Sequence, residues 1–139
     1  MRGRVAIWIV ALAVTACSQV RSERAGAEVF PARAENHPIT LYASDQPPIE
    51  AKQFGEVLPV DQIPEGRKEI GRIEVIIDAS GIGTWETVFF KARKSARAMG
   101  GDGIVITQWV ESLPALSPFT SKGVRAQVIR VADVAPAAK

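Results

Sequence analysis

The sequence predicts an α+β domain: one long helix packed on a mostly antiparallel sheet of about four strands, preceded by a signal peptide and a flexible tether. Three observations carry this prediction. Ile73, Val75 and Ile77 recur every second residue, which places them on one face of a strand. Trp85, Val88, Phe89, Ala92, Ala96 and Met99 recur at helical spacing and form one apolar stripe. The first 16 residues join a positive start to a short apolar run, and the segment after them has no sustained period.

Arg2 and Arg4 supply the positive start, residues 5–16 form an unbroken run of apolar residues and Thr15, and Ser18 and Gln19 begin a polar tract. The run is shorter than the ~20 apolar residues that a membrane-crossing helix requires. It therefore reads as a secretory signal with a small-residue cleavage site. Val14-Thr15-Ala16-Cys17 resembles the lipobox of bacterial lipoproteins. The resemblance implies cleavage before Cys17, diacylglyceryl transfer to its thiol, and acylation of the new amine by a fatty acid such as palmitate. It also implies a chain held to the cell envelope by a lipid anchor. Ser18 rather than Asp follows the cysteine, which in the enterobacterial pattern favours the outer membrane and a domain facing the periplasm. Cys17 is the only cysteine, so no disulfide can form within the chain.

The expected organisation is a signal peptide at 1–16, the lipidated cysteine and tether at 17–37, a single α+β domain at 38–132 and a frayed tail at 133–139. Residues 18–36 alternate in charge, contain several alanines and read as coil; Val29-Phe30 is an isolated apolar point within them. Residues 39–43 (ITLYA) read as a short strand, stopped by the prolines at 47 and 48. Residues 54–58 (FGEVL) read as a second short strand, confined by Pro59 and Pro64. Residues 69–78 (EIGRIEVIID) form the clearest strand, and 79–83 form a turn. Thr84 is a candidate N-cap for a helix running to Met99, which Gly100 and Gly101 terminate. Residues 103–110 (GIVITQWV) form a strand whose start is apolar on both faces. Residues 111–122 form a loop with two prolines. Residues 124–131 (VRAQVIRV) form a last strand whose phase shifts at Val128-Ile129, as a bulge would cause.

Composition excludes some functions. Removing Arg2 and Arg4 from the 17 basic residues leaves 15, equal to the 15 acidic ones. A balanced chain without a basic cluster does not read as a nucleic-acid protein. Gly81 and Gly83 follow a strand, but Glu86 stands where the third glycine of a dinucleotide fingerprint would be and would repel a pyrophosphate. His37 is the only histidine and reads as a solvated loop residue. Metal sites draw on several His, Cys or carboxylate ligands, so neither a metal nor a cofactor is expected. Asp78 and Asp102 suit local hydrogen bonding in turns better than acid–base work. Lys91, Arg93, Lys94 and Arg97 form a basic helix face that reads as solvated, or as able to meet anionic headgroups or an acidic partner. Leu113, Leu116 and Phe119, on a loop stiffened by Pro114 and Pro118, are the candidate partner-binding residues.

The stretch Ala92-Arg93-Lys94-Ser95-Ala96-Arg97-Ala98-Met99-Gly100-Gly101-Asp102-Gly103-Ile104-Val105-Ile106, with Ile70-Gly71-Arg72-Ile73 before it, resembles a recurring bacterial pattern. It occurs in small envelope lipoproteins related to the RcsF signalling domain and in the YbjQ-like family. Gly101 stands where the pattern usually has Ala, and the cysteines that staple the RcsF domain are absent. The resemblance implies a small α+β domain in the envelope. The expected function is that of a non-catalytic, membrane-anchored binding or sensing module, acting through contacts with a protein partner or a second copy. The alternative is an envelope enzyme or metal-handling protein.

Overall fold

The computed structural model describes residues 18–79, 83–112 and 120–131. Its dominant element is a six-stranded mixed sheet. The strands are β1 (Ser18–Arg24), β2 (Thr40–Ala43), β3 (Val57–Pro59), β4 (Lys68–Ala79), β5 (Gly103–Ser112) and β6 (Thr120–Arg130), in the spatial order β1-β4-β6-β5-β2-β3. One helix, α1 (Gly83–Ala98), crosses a face of the sheet, and two 3-10 turns, Ile49–Phe54 and Val60–Gln62, flank β3. This overturns the expected architecture of a long helix on about four mostly antiparallel strands. Strands β2, β3 and β5 are mutually parallel, while β1, β4, β6 and β5 alternate in direction.

The expected tether is the main correction. Residues 18–24 form an edge strand rather than coil, because their charges complement β4: Arg21 lies opposite Glu74 and Glu23 opposite Arg72, with Val20 opposite Val75. Opposed charges across an antiparallel pair stabilise it, and that signal is invisible until the partner strand is known. The chain then runs as a strap over the end of the sheet. The Ala25 amide donates to the Ile70 carbonyl at 3.0 Å and the Arg33 amide to the Arg97 carbonyl at 2.8 Å. Phe30, far from incidental, packs against the core under the cations of Lys68 and Arg130, 5.4 and 5.0 Å from its ring.

The core lies between sheet and helix. Leu41, Ile73, Val75, Ile104, Val124 and Val128 meet Trp85, Val88, Phe89, Ala92 and Ala96 of the helical stripe, and all are buried. Trp85, Phe89 and Trp109 form an aromatic cluster with ring centroids 5.7 to 6.2 Å apart. Among the described residues, the opposite face is covered at one end only, where Ile63 folds onto Tyr42 and Ile129 beside Leu58 and Val105. Val128 and Ile129 are both buried because both faces are covered there. The expected bulge in β6 instead falls on its neighbours, at Ile70 of β4 and Thr107 of β5.

Gly100 closes the helix with φ at 88°, a conformation that costs glycine little. The Gly101 amide bonds the Ala96 carbonyl at 2.8 Å and the Gly100 amide bonds Arg97 at 3.0 Å, capping the last turn. Among the described residues no helix is long and apolar enough to cross a membrane.

Candidate functional site

Strand directions sort the residues to two ends of the sheet. At one end β1 begins, β4 and β5 finish, and β6 starts: Ser18 lies opposite Ile77, Ala79 opposite Thr120 and Ser112 opposite Ser121. At the other end lie Arg24, Lys68, Arg130, the helix C-terminus and the Gly100–Gly103 turn.

That turn builds a polar clamp. The Asp102 amide donates to the Ile129 carbonyl at 2.8 Å, and the Asp102 carbonyl accepts from the Thr40 amide at 3.2 Å. With its backbone held between β6 and β2, the carboxylate faces the strap. Its Oδ1 lies 2.7 Å from Nε2 of His37 and 2.9 Å from Nη2 of Arg33. Its Oδ2 accepts from the Val131 amide at 2.8 Å. A carboxylate accepts only, so the His37 ring nitrogen is the donor. Arg97 completes the clamp by donating from Nε to the His37 carbonyl at 2.7 Å. Partial burial pushes the Asp102 carboxyl upward. The Val131 amide, the His37 ring and the Arg33 guanidinium outweigh that push and hold its pKa below the ordinary value. A carboxylate held anionic by three donors is a poor proton acceptor, so the clamp fixes structure.

Beside the clamp, strap and helix enclose a cleft of about 320 Å³ lined by Arg33, Glu35, Phe90, Lys94, Arg97 and Ala98. Phe90, Lys94 and Arg97 are spaced to share one side of the helix, outside the apolar stripe. Phe90 is 62% exposed, a large aromatic surface left in water among cations. The cleft therefore offers an apolar contact next to positive charge, which suits an anionic group attached to an apolar one. Arg93 lies apart from it, over the Phe89 ring at 5.8 Å. Burial, then the neighbouring charge of Arg97, lowers the Arg93 pKa from its ordinary value.

A larger concavity of about 890 Å³ runs along the uncovered sheet face. Its charges answer one another: Arg125 Nε bonds Glu74 at 2.5 Å and Arg125 Nη1 bonds Gln108 at 2.7 Å. A self-neutralised face offers a ligand less than the cleft does.

The sequence-predicted site residues Cys17, Leu113, Leu116 and Phe119 lie outside the described residues. The flanks of the 113–119 segment, Ser112 and Thr120, stand at the end where β1 begins. Asp78 and Asp102 are at opposite ends of the sheet, and Asp78 accepts from the Ser121 hydroxyl at 2.5 Å. His37, expected to be solvated, is held by Asp102. Among the described residues no group of three or more His, Cys, Asp or Glu is placed to hold a metal. Sequence reasoning missed Arg33 and Phe90. Phe90 carried a signal, as an aromatic off the apolar stripe among cations; Arg33 carried none.

No family model matches the chain, and no curated protein matches it. The structure is similar to the crystal structure of FvfA, a Francisella virulence factor. The TM-score is 0.50 at 11% identity, covering 80% of this chain and 96% of that one. Identity this low makes it a likeness of fold alone.

Proposed function

We propose that this protein is a non-catalytic lipoprotein of the bacterial envelope, anchored through acyl chains on Cys17 and facing the periplasm from the outer membrane. There it acts as a binding or sensing module for an acidic protein partner. The lipobox-like Val14-Thr15-Ala16-Cys17 supports the address. The observation that carries the binding role is the cleft, where exposed Phe90 sits with Lys94 and Arg97 beside the strap. Exposed aromatics next to cations are favoured anchors at protein interfaces. The RcsF-like stretch agrees with an envelope reading, although Gly100 and Asp102 within it already have roles in the helix cap and the clamp. Leu113, Leu116 and Phe119 were the expected contact. Their flanking strand ends lie at the end where the anchor attaches, so the partner surface is assigned to the cleft instead.

The test is a photo-crosslinking amino acid in place of Phe90 in intact cells, compared with one in place of the exposed Arg21 on β1. A discrete adduct at 90 that weakens several-fold when Lys94→Glu is added is the expected result. Equal yields at the two positions, or indifference to Lys94→Glu, would remove the cleft as the contact. An adduct obtained only from positions 113–119 would return the role to the loop.

A further inference from the structure

Strand β1 begins at Ser18, the residue bonded to Cys17. Consecutive Cα atoms are about 3.8 Å apart, so hydrogen-bonded sheet starts one residue from the proposed acylation site, with no slack between them. Everything at the Ser18 end of the sheet is thereby brought to the lipid surface. The 3-10 turn Ile49–Phe54 belongs to this end. Lys122, opposite both Ile77 and Glu111, donates from Nζ to Glu50 at 3.1 Å, and the chain reaches the turn by leaving β2 in the same direction as β5. Ile49, adjacent to Glu50, is 81% exposed and is the most exposed large hydrophobic side chain among the described residues. An isoleucine so exposed is unfavourable in water and favourable in a headgroup layer.

We propose that the domain stands end-on and directly on the bilayer, with Ile49 entering the headgroup region and the Asp102 clamp and its cleft turned away from the membrane. This rests on the lipid-anchor reading above. The seven residues of β1 span about 20 Å along the sheet, which sets the scale of that separation. Charge does not drive the seating. Glu50 is matched by Lys122 and Asp78 is bonded by Ser121, while Lys52 of the turn shares this end with Glu86 of the first helical turn and Glu111 of β5, so among the described residues this end has no excess of cations for anionic lipid. The acyl chains hold the domain, and the short connection fixes its orientation.

The experiment uses the full lipidated chain in phosphatidylcholine vesicles, with the acyl mass verified by mass spectrometry. Because the Cys17 thiol is consumed by the lipid, single-cysteine variants Ile49→Cys and Glu65→Cys each accept one polarity-sensitive fluorophore. Both side chains are exposed, so folding is not at stake. Glu65 precedes β4, at the far end. The label at 49 should shift to the blue on vesicle binding and become several-fold less accessible to iodide, while the label at 65 stays water-like. Raising the salt concentration should change neither. Equal iodide access at both positions on a chain that carries its acyl mass would overturn the seating and leave the anchor intact. Shielding of both positions would overturn the orientation. A processed chain without acyl mass would overturn the anchor and the seating together.

Discussion

The His37 ring stands 2.7 Å from the Asp102 carboxylate, across 65 positions of sequence. This contact fastens the strap that precedes β2 to the turn that precedes β5. Arg33 joins from the strap, Arg97 from the helix and the Val131 amide from the end of β6, so three separate segments converge on one carboxylate or its immediate partner. The arrangement resembles the orienting half of a catalytic dyad, but the carboxylate is saturated and the ring is held by it.

Asp102→Asn keeps the shape and removes the charge. Hydrogen bonds to charged groups contribute about 1.5–3 kcal/mol each in net terms, and Asn retains some of them, so a loss of about 2 kcal/mol at neutral pH is expected. The pH dependence has a definite sign. The Asp102 carboxyl is held below its ordinary value in the folded chain, so its contribution is complete above the unfolded value and is lost as the pH falls through the depressed folded value. Thermal melting of both forms from about pH 6 to about pH 3 should show the gap between them shrinking on acidification. A gap constant with pH would mean that the charge is not what stabilises the turn.

Phe89 and Lys94 lie on the same helix with opposite surroundings. Phe89 is buried against the sheet and Lys94 is exposed. Truncating a buried Phe costs about 3–5 kcal/mol, a large share of the stability of a small domain. An exposed Lys away from ion pairs costs about 0.5 kcal/mol or less. Phe89→Ala should therefore lower the midpoint of urea unfolding sharply and Lys94→Ala hardly at all; similar small shifts would contradict the packing.

Gly71 tests whether residues 18–24 are held as a strand. A Cβ at Gly71 would lie 2.6 Å from the Glu23 carbonyl oxygen and would also collide with Met99, whereas one at Gly26 would meet nothing within 4 Å. Overpacking of this kind costs about 1–3 kcal/mol. Gly71→Ala should raise amide exchange in β1, at Arg21 and Glu23 in particular, whose amides face β4 in the register that the Ala25–Ile70 bond continues, while Gly26→Ala leaves it unchanged. Unaltered exchange in both would return this segment to a loose tether.

Much of the fold was legible where periodicity is local. The helical stripe from Trp85 to Ala96 is the buried face, and Ile73, Val75 and Ile77 share the covered side of β4. What was not legible depends on partners distant in sequence. Residues 18–24 lack an apolar period because an edge strand is held by hydrogen bonds and by the charges of Arg72 and Glu74 opposite. The sheet appeared smaller and more antiparallel because β3 is only three residues long and Pro-bounded, and because β2 pairs in parallel with β5 across 63 positions of sequence. The clamp was hidden for the same reason. Asp102 was recognisable as a turn residue, but nothing near it in sequence announces Arg33 or His37.

The proposed localisation rests on Cys17, and its test is independent of the domain. The proposal of thioether attachment of a diacylglyceryl group rests on the resemblance of Val14-Thr15-Ala16-Cys17, after a short apolar run, to a lipobox. Burying acyl chains contributes about 0.8 kcal/mol per methylene, so one chain binds a membrane marginally and two or more hold it firmly. Cys17→Ser removes the nucleophile that accepts the lipid. Fatty-acid labelling should disappear, and the chain should be found either unprocessed or released from membranes. Labelling undiminished by Cys17→Ser would refute lipidation at this residue. Ser18 next to it gives the sorting half of the prediction, recovery in outer-membrane fractions after density separation. Recovery in the inner membrane alone would keep the anchor but reverse its address. The orientation of the domain on its lipid would then have to be tested on that membrane instead, with Ser18 still one residue from the surface.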